Sequence, residues 1–325
     1  MAKTVLQSFN EFNSEVVNLV SIRTQKANSS RDWLLDQLIK LEDKDDLNFP
    51  LGFEERHIKF GSFARKTKIR ELDDVDLMFC LTANGATYTV DSGKYIINTT
   101  NAGERLRGLS ESGILNSKQV VNKVKSSLSK IEQYNSAELH SRKEAVTLNL
   151  LSYEWVFDIV PCFYTDTEFY LIPDGDGNWK LTDPRIDQEV VTKVNQNNNG
   201  QALQLIRTLK FWNRHNSSIT ISSYLFEQIV INFINNRAFN NQTIDIDISN
   251  FFLYLSQFIF RPVVDPKGMQ GDLNTLSSKE RLSISDKANW ANRKSQIATS
   301  SLQISEEGSV NTWREIFGSK FPSYG

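Results

Sequence analysis

Apolar residues recur at steps of three and four from Thr4 to about Leu41: Val5, Phe9, Phe12, Val16 and Val20, then Leu34, Leu38 and Leu41. This spacing keeps them on one side of a 3.6-residue helix and predicts two consecutive helices, or one long broken one, with Ser29 or Ser30 capping the second. The acidic run Glu42 to Asp46, next to Pro50, reads as a solvated turn. The period then shortens. Ile58–Lys59–Phe60 and Val75 to Leu81 read as strands flanking a polar stretch, whereas Thr82 to Ser117 is polar, rich in Gly and Asn, and resembles an insertion. Ser117 to Tyr134 returns to helical spacing. Val146 to Leu151 and Trp155 to Val160, three residues apart, suit an antiparallel hairpin, and Tyr170–Leu171–Ile172 and Trp179–Lys180–Leu181 form another around Pro173–Asp174–Gly175–Asp176–Gly177–Asn178. From Gln188 the pattern is helical, with Leu203 to Phe211, Tyr224 to Ile234 and Phe251 to Phe260 marking three helices.

This order of elements predicts an α+β fold in two lobes, a mixed-sheet lobe over residues 1–195 with its N-terminal helices and a helical lobe over 196–325. A chain of 325 residues is long enough for each lobe to bury a core. With 39% hydrophobic and 23% charged residues and a net charge of −2, it has the balance of a globular protein without the basic excess that long duplexes demand, so no DNA partner is expected. Small anionic ligands fit better. Cys80 and Cys162 both lie in apolar runs and read as core thiols of a reducing compartment. The start, MAKTVLQSFNEF, lacks a signal-peptide pattern, and no apolar run approaches the roughly 20 residues that span a bilayer. A cytoplasmic location follows as the expectation.

Candidate chemistry concentrates between Phe60 and Leu77. Gly61–Ser62 at a turn lets backbone approach a phosphate closely, and the serine hydroxyl can donate to it. Asp74 and Asp76, one residue apart on a strand, project from the same face and can ligate hard cations side by side. Asp73 points to the other face and is left out. In nucleotidyl transfer two magnesium ions about 4 Å apart clamp the attacking and departing oxygens, with manganese able to substitute. Such a site needs a third acid from a neighbouring strand. Asp158, a charge amid Trp155–Val156–Phe157 and Ile159–Val160–Pro161, is the candidate; a core ion pair with Arg or Lys is the competing account. The basic run Arg65, Lys66, Lys68 and Arg70 reads as solvated surface charge, and His57, His140 and His215 have no metal-ligand spacing.

Gly61–Ser62 followed after eleven residues by Asp74–Val75–Asp76, with Phe157–Asp158–Ile159–Val160–Pro161 further on, resembles the signature of the polymerase-β-like nucleotidyltransferases. Within them the chain is similar to oligoadenylate synthases, cyclic GMP-AMP synthase and the bacterial cyclic-oligonucleotide synthases called CD-NTases. Ile172–Pro173–Asp174 to Thr182–Asp183–Pro184, Leu209–Lys210–Phe211–Trp212–Asn213 and Ser222–Ser223–Tyr224–Leu225 extend the resemblance over most of the chain. It implies that Lys210 and Ser223 contact the triphosphate and that Tyr224 stacks on a base. From the residues alone, Lys210 is equally a lysine snorkelling to water and Tyr224 equally a core side chain. Val264–Asp265–Pro266 resembles the family's late Asp-Pro segment, but the continuation from Lys267 to Asp272 departs from it. The resemblance further implies synthesis of a cyclic di- or trinucleotide from ATP, GTP, UTP or CTP, antiphage signalling, and a regulatory protein or ligand. A transferase acting on RNA or protein, a maker of linear oligonucleotides, and an inactive nucleotide sensor are the alternatives.

Overall fold

The structure is a computed structural model and describes residues 4–44, 48–215, 219–237 and 242–325. Asp45 and Asp46 of the acidic run therefore lie outside the described residues. Two compact units emerge. One comprises Val20–Arg65 and Glu71–Gln188; the other comprises the segment ending at Leu19, Lys66–Arg70, and Glu189–Gly325.

The first unit is built on a single sheet. Its strands in chain order are β1 (Ile58–Phe60), β2 (Asp74–Leu81), β3 (Thr87–Asp91), β4 (Lys94–Asn98), β5 (Ser110–Glu111), β6 (Ile114–Leu115), β7 (Glu138–Arg142), β8 (Ala145–Asn149), β9 (Val156–Tyr164), β10 (Tyr170–Pro173) and β11 (Trp179–Thr182). They run β1-β2-β9-β10-β11-β4-β6-β5, with β3 beside β4 and β7 beside β8, which also pairs with β9. β2 and β9 pair in parallel, and the other pairings of described strands are antiparallel. Both expected hairpins are present, as β8–β9 and β10–β11. Thr82 to Ser117 is a correction: it supplies β3 to β6, joined to the sheet where Tyr95 lies opposite Trp179, and buries Ile97, Leu106 and Leu115. Its strands are two to five residues long and mostly exposed, so they carry too little alternation to stand out in sequence.

The remaining helices are α1 (Val5–Phe12), α2 (Ser21–Lys40), α3 (Gly61–Ala64), α4 (Glu104–Arg107), α5 (Ser117–Leu128), α6 (Pro184–Asn197), α7 (Ala202–His215), α8 (Ser223–Asn236), α9 (Ile244–Phe258), α10 (Ser278–Ser301) and α11 (Glu306–Phe317). None of those described is long and apolar enough to cross a membrane. Helix α2 starts at Ser21, just after a π-helical turn over Asn13–Val17 and an N-cap at Val20. Ser29 and Ser30 are thus interior positions rather than caps, with the Ser30 hydroxyl donating to the Ala27 carbonyl.

The basic run is the next correction. Arg65 is buried, and the Arg70 guanidinium donates to the carbonyls of Ser14, Glu15 and Asn18, which the π-helical turn leaves free. The Arg70 amide donates to Val17, Arg207 donates to the Lys66 carbonyl and the Asn18 side chain, and Ile69 joins the core of the helical unit. Of the four basic residues that read as solvated charge, Arg65 and Arg70 are instead tied into the protein, whereas Lys66 is exposed and Lys68 half-buried.

Helix α1 also belongs to the helical unit, although its place in the sequence assigns it to the first lobe. Phe9 lies edge-on to Trp313 at 5.1 Å and to Phe321 at 5.0 Å, and Phe12 meets Phe211 at 4.9 Å, all fully buried or nearly so. Truncating a buried phenylalanine forfeits its transfer energy and leaves a cavity, a combined loss of about 3–5 kcal/mol. Phe9→Ala is expected to lower the urea midpoint of the full-length protein by that free energy, whereas Leu6→Ala, on the exposed side of α1, leaves it within about 0.5 kcal/mol.

Candidate active site

In β2, Val75, Leu77 and Phe79 are fully buried while Asp74 and Asp76, on the alternate face, are half-buried. The parallel register sets Asp76 directly opposite Asp158 and Asp74 opposite Val156. Asp74, Asp76 and Asp158 therefore share one face at one end of two adjacent strands. Four positions further on, the same register faces Cys80 with Cys162, both free and fully buried, in an apolar patch with Met78, Val160 and Tyr170. Burial, and then the neighbouring Cys80 thiol, pushes the pKa of Cys162 up and keeps it protonated. The face thus changes from anionic to apolar within one turn of pleat. β2 is braced on its other side by His57, whose Nδ1 accepts the Cys80 amide at 2.9 Å and whose ring stacks on Phe79. Burial lowers its pKa to about 4, which keeps the ring neutral and able to accept.

Among the described residues, Asp158 is not the member of a core ion pair. Its Oδ1 accepts a 2.6 Å hydrogen bond from the hydroxyl of Thr147, the residue opposite it in the β8–β9 hairpin. A neutral donor orients a carboxylate without supplying a counter-charge. Thr147 was missed in the sequence, though counting back through the hairpin from Asp158 points to it.

Gly61 follows β1 directly and opens the short α3. Its neighbour Phe60 is the register partner of Asp76, and its φ of +75° is one that side chains rarely adopt. A Cβ at this position would lie 1.8 Å from Asp76 Oδ2. The glycine is therefore required by the carboxylate beside it as well as by its backbone angle. Ser62, the next residue, is half-buried at the same turn.

The described residues include no group of three His, Cys, Asp or Glu side chains closed around one point. Carboxylates gathered on one face nonetheless suit magnesium, which is commonly bound by one or two carboxylates together with substrate phosphates and water rather than by an all-protein cage.

Lys210, Ser223 and Tyr224 lie in the other unit. Lys210 on α7 does not snorkel. Only 6% of its side chain is exposed, and its Nζ lies 3.2 Å from Oε2 of Glu227, which is completely buried on α8. The Thr67 hydroxyl donates to the same oxygen at 2.6 Å. Ser223 is exposed at the first turn of α8. The Tyr224 hydroxyl donates to Asp265 at 3.1 Å, and Lys267 Nζ sits 4.5 Å from the ring centroid, so one face of the ring already carries an ammonium. Burial raises the Asp265 pKa, but the hydrogen bond and charge of Lys267 and the amides of Gln270 and Lys267 outweigh it, holding the carboxyl below its usual range. Asp265 is thus the organising anion of the Val264–Gly271 turn. Glu227 and Thr67 were not singled out in the sequence. A lone acid between Phe226 and Ile229 is nonetheless the same signal that marked Asp158.

A mixed sheet with a helical C-terminal region and two neighbouring parallel strands beside a Gly-Ser turn is the fold of a polymerase-β-like nucleotidyltransferase, and it defines that class. No protein-family model matches the chain. Over its whole length it is 45% identical to a probable cyclic nucleotide synthase of Bacillus cereus strain VD146, covering 99% of that protein. Among solved structures, Escherichia coli MS115-1 CdnC with ATP superposes with a TM-score of 0.72 at 18% identity, covering 98% of each chain. The cyclic AMP-GMP synthase DncV of Vibrio cholerae gives 0.72 at 11% identity, covering 99% of this chain and 98% of its own. This protein belongs to the CD-NTases, the bacterial cyclic-oligonucleotide synthases within that class.

Gly61→Ala puts a methyl group where Asp76 Oδ2 lies, and a catalytic group displaced by about 1 Å loses on the order of 100-fold in rate. The expected outcome is a folded protein, by circular dichroism, whose nucleotide turnover falls by about that factor or more.

Proposed function

We propose that this protein joins nucleoside triphosphates into a cyclic di- or trinucleotide messenger, using divalent magnesium held by Asp74, Asp76 and Asp158. The observation that carries the reading is the β2–β9 register, which sets Asp76 beside Asp158 with the Gly61–Ser62 turn against them. The full-length similarity to a probable cyclic nucleotide synthase supports it. Magnesium bound there supplies positive charge for the triphosphate and makes a ribose hydroxyl easier to deprotonate. The chain's own residues do the positioning. Asp74 and Asp76 project together because they alternate with the buried Val75 and Leu77, and Thr147 fixes the carboxylate plane of Asp158. Gly61 clears the space beside Asp76 and Ser62 donates to a phosphate. Lys210 and Ser223 take further phosphate oxygens. Tyr224 offers a base the ring face opposite Lys267. The reaction belongs in the cytoplasm, where triphosphates are made, and antiphage signalling under control of a regulatory protein or ligand is the role we assign.

Incubation with labelled ATP, GTP, CTP and UTP and magnesium, followed by phosphatase, checks the reading. A ring has no terminal phosphate and survives digestion; a linear oligonucleotide or a labelled RNA or protein would replace this proposal with the corresponding activity. Chelation with EDTA is expected to stop turnover and added magnesium to restore it. Removing one metal-binding carboxylate costs several kcal/mol of transition-state stabilisation, so Asp76→Ala is expected to lose about 1,000-fold or more while keeping its thermal midpoint within a few degrees. A variant with parental turnover would sink the assignment.

A further inference from the structure

Glu227 sits in the middle of α8 with no exposed surface, beside Phe226, Ile229 and Val230, which are equally buried. An ionised carboxylate so placed is costly unless charged and hydrogen-bonding partners surround it. Its partners come from two other segments. Oε2 takes both the Lys210 ammonium from α7, at 3.2 Å, and the Thr67 hydroxyl, at 2.6 Å. Thr67 is itself completely buried and belongs to Lys66–Arg70, the stretch that separates Ser62 from Asp74 in the chain. Arg207 and Arg70 hold that stretch on either side of it.

The spacing along α8 adds direction. Tyr224 and Glu227 are three residues apart and so lie on one face of the helix, one turn from each other. The anion that captures Lys210 therefore stands beside the residue read as the base platform. A lysine carries a flexible four-carbon stem and three donor hydrogens. One ion pair with a rigid, buried carboxylate fixes the stem.

We propose that Glu227 is a positioning residue for nucleotide binding. It holds Lys210 in a single charged, ordered arrangement, with Thr67 fixing the carboxylate, so that a triphosphate meets an ammonium already in place. Ordering a long side chain at the moment of binding weakens affinity, and a preordered one avoids that loss. The proposal rests on the reading of Lys210 as a triphosphate contact, and it predicts an effect on KM transmitted through Lys210 alone.

The test is a double-mutant cycle in the full-length protein, measuring kcat and KM for the nucleoside triphosphates, with thermal midpoints alongside. Lys210→Met is expected to raise KM about 10-fold or more. Glu227→Gln, which keeps the shape and removes the charge, is expected to raise KM about 5-fold with kcat within about 2-fold. In the Lys210→Met background the same Glu227→Gln change is expected to leave KM within about 2-fold, because its target is gone. An equal KM increase in both backgrounds would overturn the proposal, since Glu227 would then act without Lys210. So would a folded Glu227→Gln with parental KM. A parental KM in Lys210→Met alone would instead refute the triphosphate role of Lys210 and remove the premise. If Glu227→Gln does not fold, Thr67→Val decides: it deletes only the hydroxyl that orients Oε2 and is expected to raise KM about 2- to 3-fold, with unchanged KM counting against the proposal.

Discussion

The parallel contact between β2 and β9 is the constraint on which the site depends. Side chains alternate along each strand with a period of two, so the register decides which residues of one strand accompany which of the other. With Asp76 opposite Asp158, the acids collect on one face and Val75, Leu77, Phe157 and Ile159 on the other, where each is buried. A slip by one position would drive Asp158 into that core and leave its neighbours in water. The apolar side of the sheet therefore holds the carboxylates together as firmly as any direct contact between them. It does so without asking three anions to attract one another.

Around that pair the protein keeps its charges by giving each a partner of suitable strength. Asp158 has a hydroxyl, which orients it. Glu227, deep inside α8, has an ammonium and a hydroxyl. Asp265 has Lys267 and a set of backbone amides, and its pKa falls although burial works against it. The difference matches exposure: the half-buried acid of the sheet needs only orientation, and the buried ones need counter-charge or several donors.

The shared face of the three acids was legible from sequence because each broke a local pattern: Asp74 and Asp76 alternate with buried residues, and Asp158 interrupts an apolar strand. The two hairpins were legible from turn chemistry and spacing. Other features were hidden for physical reasons. Helix α10 packs through Ile284, Ser285, Ala288, Ala291, Asn292, Ser295 and Ala298, so its buried stripe is made mostly of small and polar residues and shows little apolar period. Its contacts include hydrogen bonds, such as Asn292 and Ser295 to Ser249, that no single-chain pattern announces. Strands β3 to β6 are too short and exposed to alternate visibly. The burial of Lys210 and the tethering of Arg70 depended on partners, Glu227 and the π-helical turn, that lie 17 and more than 50 residues away.

The path of Lys66–Arg70 has a consequence for how such a molecule can be inherited. The backbone passes from one unit to the other after Leu19, Arg65, Arg70 and Gln188, so neither unit is a continuous length of chain. A fragment beginning at Glu189 lacks Phe9, Phe12 and Ile69 from its core and the arginine that satisfies the π-helical carbonyls. A fragment ending at Gln188 carries those side chains with nothing to bury them. No single break in the gene yields a self-sufficient half, and the two units can be exchanged between relatives only as one indivisible cassette.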